Sequence, residues 1–174
     1  MVNSELVIDF VNTAGLEPVR DDLPTPASLV AWLDSRGLSP GARATAADLA
    51  EAKRVREALL DLLLAHNEVE TDVDAASAVL DRAARWAELG VRFAGDAAAV
   101  EPAATGVRGA VGRILAEVSA GMADGTWERV KACRADDCRH AFLDTAKNRS
   151  RAWCSMQSCG NRAKVAAYRE RHSA

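Results

Sequence analysis

Four cysteines stand in two pairs near the end of the chain, Cys133-x4-Cys138 and Cys154-x4-Cys159, with fifteen residues between the pairs. Two close pairs at that separation have the layout of a structural zinc site. Four thiolates saturate a tetrahedral d¹⁰ ion and leave no position open for chemistry, so the ion folds a module instead of catalysing a reaction. Two disulfides or an iron–sulfur cluster would use the same residue type, but a reducing compartment disfavours the first, and neither is the preferred reading. Thiol redox switching stays open as a secondary behaviour. The expectation is one structural Zn²⁺ held by Cys133, Cys138, Cys154 and Cys159, with Lys131, Arg134 and Arg139 offsetting its thiolate charge.

The residues around the cysteines fit such a site. Residues 141–144 and 151–154 are strand-like and flank a polar turn, and residues 160–171 read as a helix. A ligand at a helix start places its thiolate at the positive end of the helix dipole. Knuckle, hairpin and ligand-bearing helix together predict a treble-clef finger.

The rest of the chain has a different character. Residues 1–128 carry 21 acidic and 11 basic side chains, a net −10, whereas residues 129–174 carry 4 and 11, a net +7. An acidic body with a basic module points to an anionic partner for the module. Alanine is abundant and aromatics are scarce, which suits packed helices. Residues 6–11, rich in β-branched side chains, read as a short strand. A proline-rich turn follows, with Glu17-Pro18 and Leu23-Pro24. Thr25-Pro26 caps a helix to Gly37, and residues 45–66 form the strongest amphipathic helix, with Leu49, Ala52, Val55, Leu59, Leu60, Leu62 and Leu63 on one face. A further helix spans 73–87 with Ala76, Leu80, Ala83 and Ala87 inward. Residues 91–100 make a hairpin around Gly95-Asp96, closed by Pro102. Thr105 caps a helix carrying Val107, Val111, Ile114, Leu115 and Val118, which frays near Gly121 and Gly125. The fold class is α+β: a mainly helical body over residues 1–126 and a zinc finger over 127–174.

Several motifs are more specific than these patterns. Phe142-Leu143-Asp144, Trp153-Cys154-Ser155-Met156 and above all Cys159-Gly160-Asn161-Arg162 resemble the CGNR zinc-finger family. Asp9-Phe10-Val11-Asn12-Thr13 and Ala31-Trp32-Leu33 resemble its usual partner, the ABATE domain. The resemblance implies an α+β domain joined to a treble-clef finger, in proteins regarded as stress-linked bacterial transcription regulators.

Function is read from the surfaces. On the last helix Arg162 and Arg169 lie on one edge, Lys164 and Arg171 on the other, with Val165, Tyr168 and His172 between them. Such rows can straddle a DNA groove, and Lys147, Arg149 and Arg151 form a second basic cluster. Asn161 and Arg149 offer hydrogen bonds to base edges. The alternative is a finger that docks a protein. Arg56 interrupts the apolar face of the long helix and needs a partner, for which Asp9 is the internal candidate. Arg56 with Asn12 and Asp9 could instead bind a small anionic effector. No Gly-rich phosphate loop, GxSxG or HExxH is present, so no enzymatic activity is expected. No apolar run approaches the roughly 18–20 residues that span a bilayer. A cytoplasmic protein without membrane association is expected, and a homodimer is possible.

Overall fold

In a computed structural model of the chain, residues 4–15, 21–38 and 41–172 are described. Among these residues, six α-helices and two small antiparallel hairpins make an α+β fold. None of the described helices is long and apolar enough to cross a membrane. Helix α1 (Ser4–Asn12) replaces the expected strand. Leu6, Val7, Phe10 and Val11 are the residues it buries, at helical spacing, while Ile8 and Asp9 stay partly exposed. Strict alternation would have buried Ile8 with Leu6 and Phe10, so packing overrides the β-branched preference.

Helix α2 (Pro26–Ser35) starts at Thr25, whose side chain and that of Ser28 form a reciprocal cap, and buries Leu29 and Leu33. Trp32 lies against Phe10 with ring centroids 5.5 Å apart. Of the proline-rich turn, Glu17-Pro18 lies outside the described residues, and Leu23 is fully buried. Helix α3 (Ala46–Ala65) also has a capping box, made by Thr45 and Asp48. It is the central strut, burying Ala52, Val55, Leu59, Leu60, Leu62 and Leu63, with Leu49 packed at the margin. Helix α4 (Val73–Trp86) contributes Ala76 and Ala83, and Ala87 just beyond it is buried too.

Strands β1 (Leu89–Ala94) and β2 (Ala97–Pro102) form the hairpin around Gly95-Asp96. Gly95 takes a positive φ of 61° and Asp96 does not, the φ pattern of a type II′ turn. Helix α5 (Gly106–Asp124) buries Val107, Val111, Ile114, Leu115 and Val118. It does not fray at Gly121, which is buried inside it, and ends at Gly125 in the left-handed conformation. Thr105 occupies the N-cap position but makes no side-chain capping bond. Gly112 is where α5 meets its neighbours: a Cβ there would fall 2.7 Å from Pro102 Cβ and 2.9 Å from Ala87 Cβ.

After a short turn (Trp127–Arg129) come strands β3 (Val130–Ala132) and β4 (Ala141–Leu143), then a wide turn (Met156–Gly160) leading into helix α6 (Asn161–His172). The hairpin of the finger is therefore not the expected one. Residues 151–154 form no strand, and β4 pairs with β3, Lys131 opposite Phe142. Val130, Ala132 and Ala141 belong to the same apolar cluster as α1, α3 and α5, so the core runs from the body into the base of the finger.

Since both atoms crowding the Gly112 position are held by backbone, Gly112→Ala is expected to lower stability by about 1–3 kcal/mol, the usual cost of overpacking. Denaturant unfolding monitored by circular dichroism checks this; an unchanged midpoint would show that α5 and the hairpin can part at no cost.

Candidate metal centre

Cys133 directly follows β3 and Cys138 lies in the loop that returns to β4. The Cys133 amide donates to His140 O (2.9 Å) and the Cys138 amide to Ala135 O (2.8 Å), so the knuckle is folded by its own backbone. Cys154 ends the non-strand segment 151–154, which is tied down where the Arg134 amide donates to Ala152 O. Cys159 lies in the wide turn just before α6.

All four Sγ atoms lie within 4.8 Å of one another. Cys138 Sγ is 3.5 Å from Cys154 Sγ, and Cys154 Sγ is 3.7 Å from Cys159 Sγ. A tetrahedral ion with Zn–S bonds of about 2.3 Å places its sulfurs about 3.8 Å apart, whereas a disulfide needs about 2 Å. All four are free thiols, and the donor set fits one structural Zn²⁺. Three of the four are buried and Cys154 is partly exposed, and four thiolates would fill a tetrahedral ion's coordination sphere.

Two of the three cations expected to offset the charge of the sulfurs are engaged elsewhere. Lys131 is turned to Asp144, and Arg134 donates to Asn67 O and pairs with Glu68. Arg162 takes that role: its Nη2 lies 3.4 Å from Cys159 Sγ and 3.0 Å from Asp137 Oδ1. The other residues of Cys159-Gly160-Asn161-Arg162 are occupied too. Gly160 passes beneath Met156 and Trp153, where a Cβ would lie 2.9 Å from Met156 Sδ. The Asn161 side chain donates through Nδ2 to Gln157 O (3.1 Å).

Asp144 organises the loop between β4 and Cys154. It is completely buried and accepts from Lys131 Nζ (2.8 Å), the Ala146 amide (2.9 Å) and the Arg151 amide (3.0 Å). Burial pushes its pKa up, but the ion pair and hydrogen bonds outweigh burial and hold it below the usual carboxylate range. Arg151 is turned inward, donating to Trp153 O and Cys154 O with its guanidinium over the Phe142 ring. Arg149 pairs with Glu128 at 2.8 Å on the surface. Lys147, Lys164, Arg169 and Arg171 are exposed.

Two asparagines seat the finger on the body, and neither role was read from the sequence. Asn12 Oδ1 accepts from the Ala141 amide (2.8 Å) while its Nδ2 donates to Ala141 O (3.1 Å), as a neighbouring strand would. Asn67 Nδ2 donates to Ala132 O (2.7 Å) and Ala152 O (2.8 Å). His66 Nδ1 lies 2.8 Å from Val130 O, and its ring meets Trp127 edge-on.

The expected pairing of Arg56 with Asp9 does not occur. Asp9 pairs with Arg36, while Arg56 pairs with Asp21 (2.8 Å) and Glu57 (3.0 Å). Asp21 also holds Lys53 at 2.6 Å. Burial raises the Asp21 carboxyl, yet hydrogen bonds from Arg56, Lys53 and the Leu23 amide outweigh this and hold its pKa well below the ordinary range. Arg56 and Asn12 do line one cleft of about 530 Å³, shared with Asp21, Glu57, Asp137 and His140. The Arg56 guanidinium reaches it already neutralised, the Asn12 carboxamide is spent on Ala141, and Asp21, Glu57, Asp136 and Asp137 outnumber Arg56 and Arg139 in the lining, which disfavours an anion.

These features define a class: a four-cysteine zinc finger seated on a helical domain. Residues 129–172 match the CGNR zinc finger, and residues 4–124 match ABATE, described as "Putative stress-induced transcription regulator". The chain belongs to the ABATE family and carries a CGNR zinc finger. No match was found among curated proteins.

Two outcomes follow from this geometry. Removing zinc with a chelator is expected to lower the melting temperature of the whole chain in one transition, because Val130, Ala132 and Ala141 share the body's core. A scan in which the body melts unchanged would contradict that coupling. Asp144→Asn leaves Lys131 buried without a counter-charge and is expected to cost roughly 3–5 kcal/mol. Because the folded pKa of Asp144 is depressed, its contribution is complete above about pH 4, the unfolded value. It is lost as pH falls through the depressed folded value. Urea titrations across that window should show less acid dependence in Asp144→Asn than in the parent.

Proposed function

We propose that this protein is a transcription regulator that binds duplex DNA through its finger, with zinc as a structural ion and no catalytic activity. The observation that supports this reading is α6. Among the described helices of eight or more residues it is the one that buries no residue. It presents Lys164, Arg169 and Arg171 around the exposed Val165 and Tyr168. The knuckle, the β3–β4 hairpin and the ligand-bearing turn before α6 fit a treble-clef arrangement, in which the metal sets the direction of the final helix.

On this reading Lys147, Lys164, Arg169 and Arg171 contact phosphates, and Arg149 joins them by exchanging Glu128 for a phosphate oxygen. Asn161, at the exposed start of α6, stands near base edges. Arg151 and Arg162 act through the zinc site and position the helix. The cleft beside Arg56 does not favour the anionic effector, and the proposal includes none.

A second reading, a finger that docks a protein, is favoured by the same apolar strip. Val165, Tyr168 and Met156 are each at least half exposed. Salt separates the two, since counterion release makes phosphate-driven binding fall steeply with salt and an apolar interface lacks that dependence.

Fluorescence anisotropy of zinc-loaded protein with duplex DNA is expected to show a steep salt slope that drops by about one for each of Lys164→Ala, Arg169→Ala and Arg171→Ala. Chelation should abolish the binding. Absence of binding at low salt would overturn the DNA reading and favour the protein-docking one.

A further inference from the structure

Away from the finger, the β1–β2 ribbon has a composition that the single chain does not explain. Its register sets Leu89 opposite Pro102, Val91 opposite Val100 and Phe93 opposite Ala98. Side chains alternate across a strand, so these six share one face, and all six are apolar. Such a face belongs to a strand covered on one side, yet only its root is covered. Leu89 packs on the core, and Pro102 meets α5 at Gly112. Towards the tip Val91 is 61% exposed and Phe93 79%. The opposite face carries Arg92, whose Nε lies 3.3 Å from Glu101 Oε2.

The two edges of the ribbon differ. β2 lies along α5, whereas β1 is exposed from Gly90 to Ala94 and pairs with no described strand but β2. An open edge of this kind offers backbone groups to another strand. Gly90 is also unaccounted for, because its φ is not left-handed and a Cβ there would meet nothing within 4 Å. Glycine inside a strand weakens it and marks places where another chain approaches closely.

We propose that β1 pairs antiparallel with β1 of a second copy of this chain, about a twofold axis at Val91, giving a four-stranded sheet. In that register Val91 faces its own counterpart and Phe93 faces the second copy's Leu89. Arg92 faces the second copy's Gly90, whose neighbour on the next strand is that copy's Glu101. With no side chain on the glycine, Arg92 lies across it and reaches the second copy's Glu101, and the twofold axis repeats the contact. Apolar chains meet apolar chains, no like charges are opposed, and the position left empty in one chain becomes the passage for an ion pair between two. A lone two-stranded ribbon is marginal in water, while four strands with an apolar face are not.

Sedimentation velocity on the zinc-loaded chain at micromolar concentrations tests this. The parent is expected to dimerise, and Phe93→Asp to raise the dimer dissociation constant roughly tenfold or more, with zinc content and circular dichroism unchanged because Phe93 is exposed. Arg92→Glu and Glu101→Arg should each weaken the dimer, whereas an equimolar mixture of the two should dimerise as well as the parent, since both ion pairs between chains are then restored, one as in the parent and one with its charges exchanged. A parent that stays monomeric, a dimer that survives Phe93→Asp, or a mixture that fails to recover overturns the proposal.

Discussion

Four sulfurs confined within 4.8 Å of one another repel as thiolates, and the rest of the finger depends on the ion that turns this repulsion into bonds. Little else is available to fold it. Cys133, Cys138, Phe142 and Cys159 are its separate buried cluster, and α6 adds no buried residue. The direction of α6 is therefore set by Cys159 and the turn around it, with Arg162 reaching back to the sulfur. A 12-residue helix without a packed face is marginal by itself, so its order is borrowed from the metal.

The metal does not work in isolation, because the two strands beside it are anchored from the opposite side by the body. Asn12 satisfies both backbone groups of Ala141, and Asn67 satisfies two carbonyls, at Ala132 and Ala152. A buried carbonyl left without a donor costs about 1–3 kcal/mol. The change in charge and composition near residue 126 is thus not a mechanical boundary. Core packing and side-chain amides cross it, and a disturbance at the zinc reaches α1 and α3 through hydrogen bonds only one residue long.

What could be read from the sequence was what is local. The cysteine spacing named the ligands, and 3.6-residue periodicity located α3, α4 and α5. The helix α1 was missed because Val7, Ile8 and Val11 carry a β preference that burial against α3 and α5 overrides. β3 was missed because a three-residue strand is too short to show alternation. Lys131 at its centre was read as a counter-charge for the thiolates, and Asp144, thirteen positions later, makes its burial tolerable. The signal that could have found it was Val130-Lys131-Ala132 standing directly before Cys133, as the first arm of the knuckle. Asp21 as the partner of Arg56 lies in a loop whose course no periodicity describes.

Charge counting was least able to separate solvent-facing from structural cations. Arg151 and Arg162 read like Lys164 and Arg171 in the sequence, yet the first two serve the zinc site. This does not remove the finger's positive field. Lys131, Arg134, Arg149 and Arg162 are matched by Asp144, Glu68, Glu128 and Asp137. Among the described residues, the guanidinium groups of Arg129 and Arg151 donate to carbonyl oxygens, which satisfy their donors without cancelling their charge. Their charge adds to that of the exposed Lys147, Lys164 and Arg171. Structural arginines thereby serve twice, closing the loops around the zinc by hydrogen bonds and adding at longer range to the positive potential around α6.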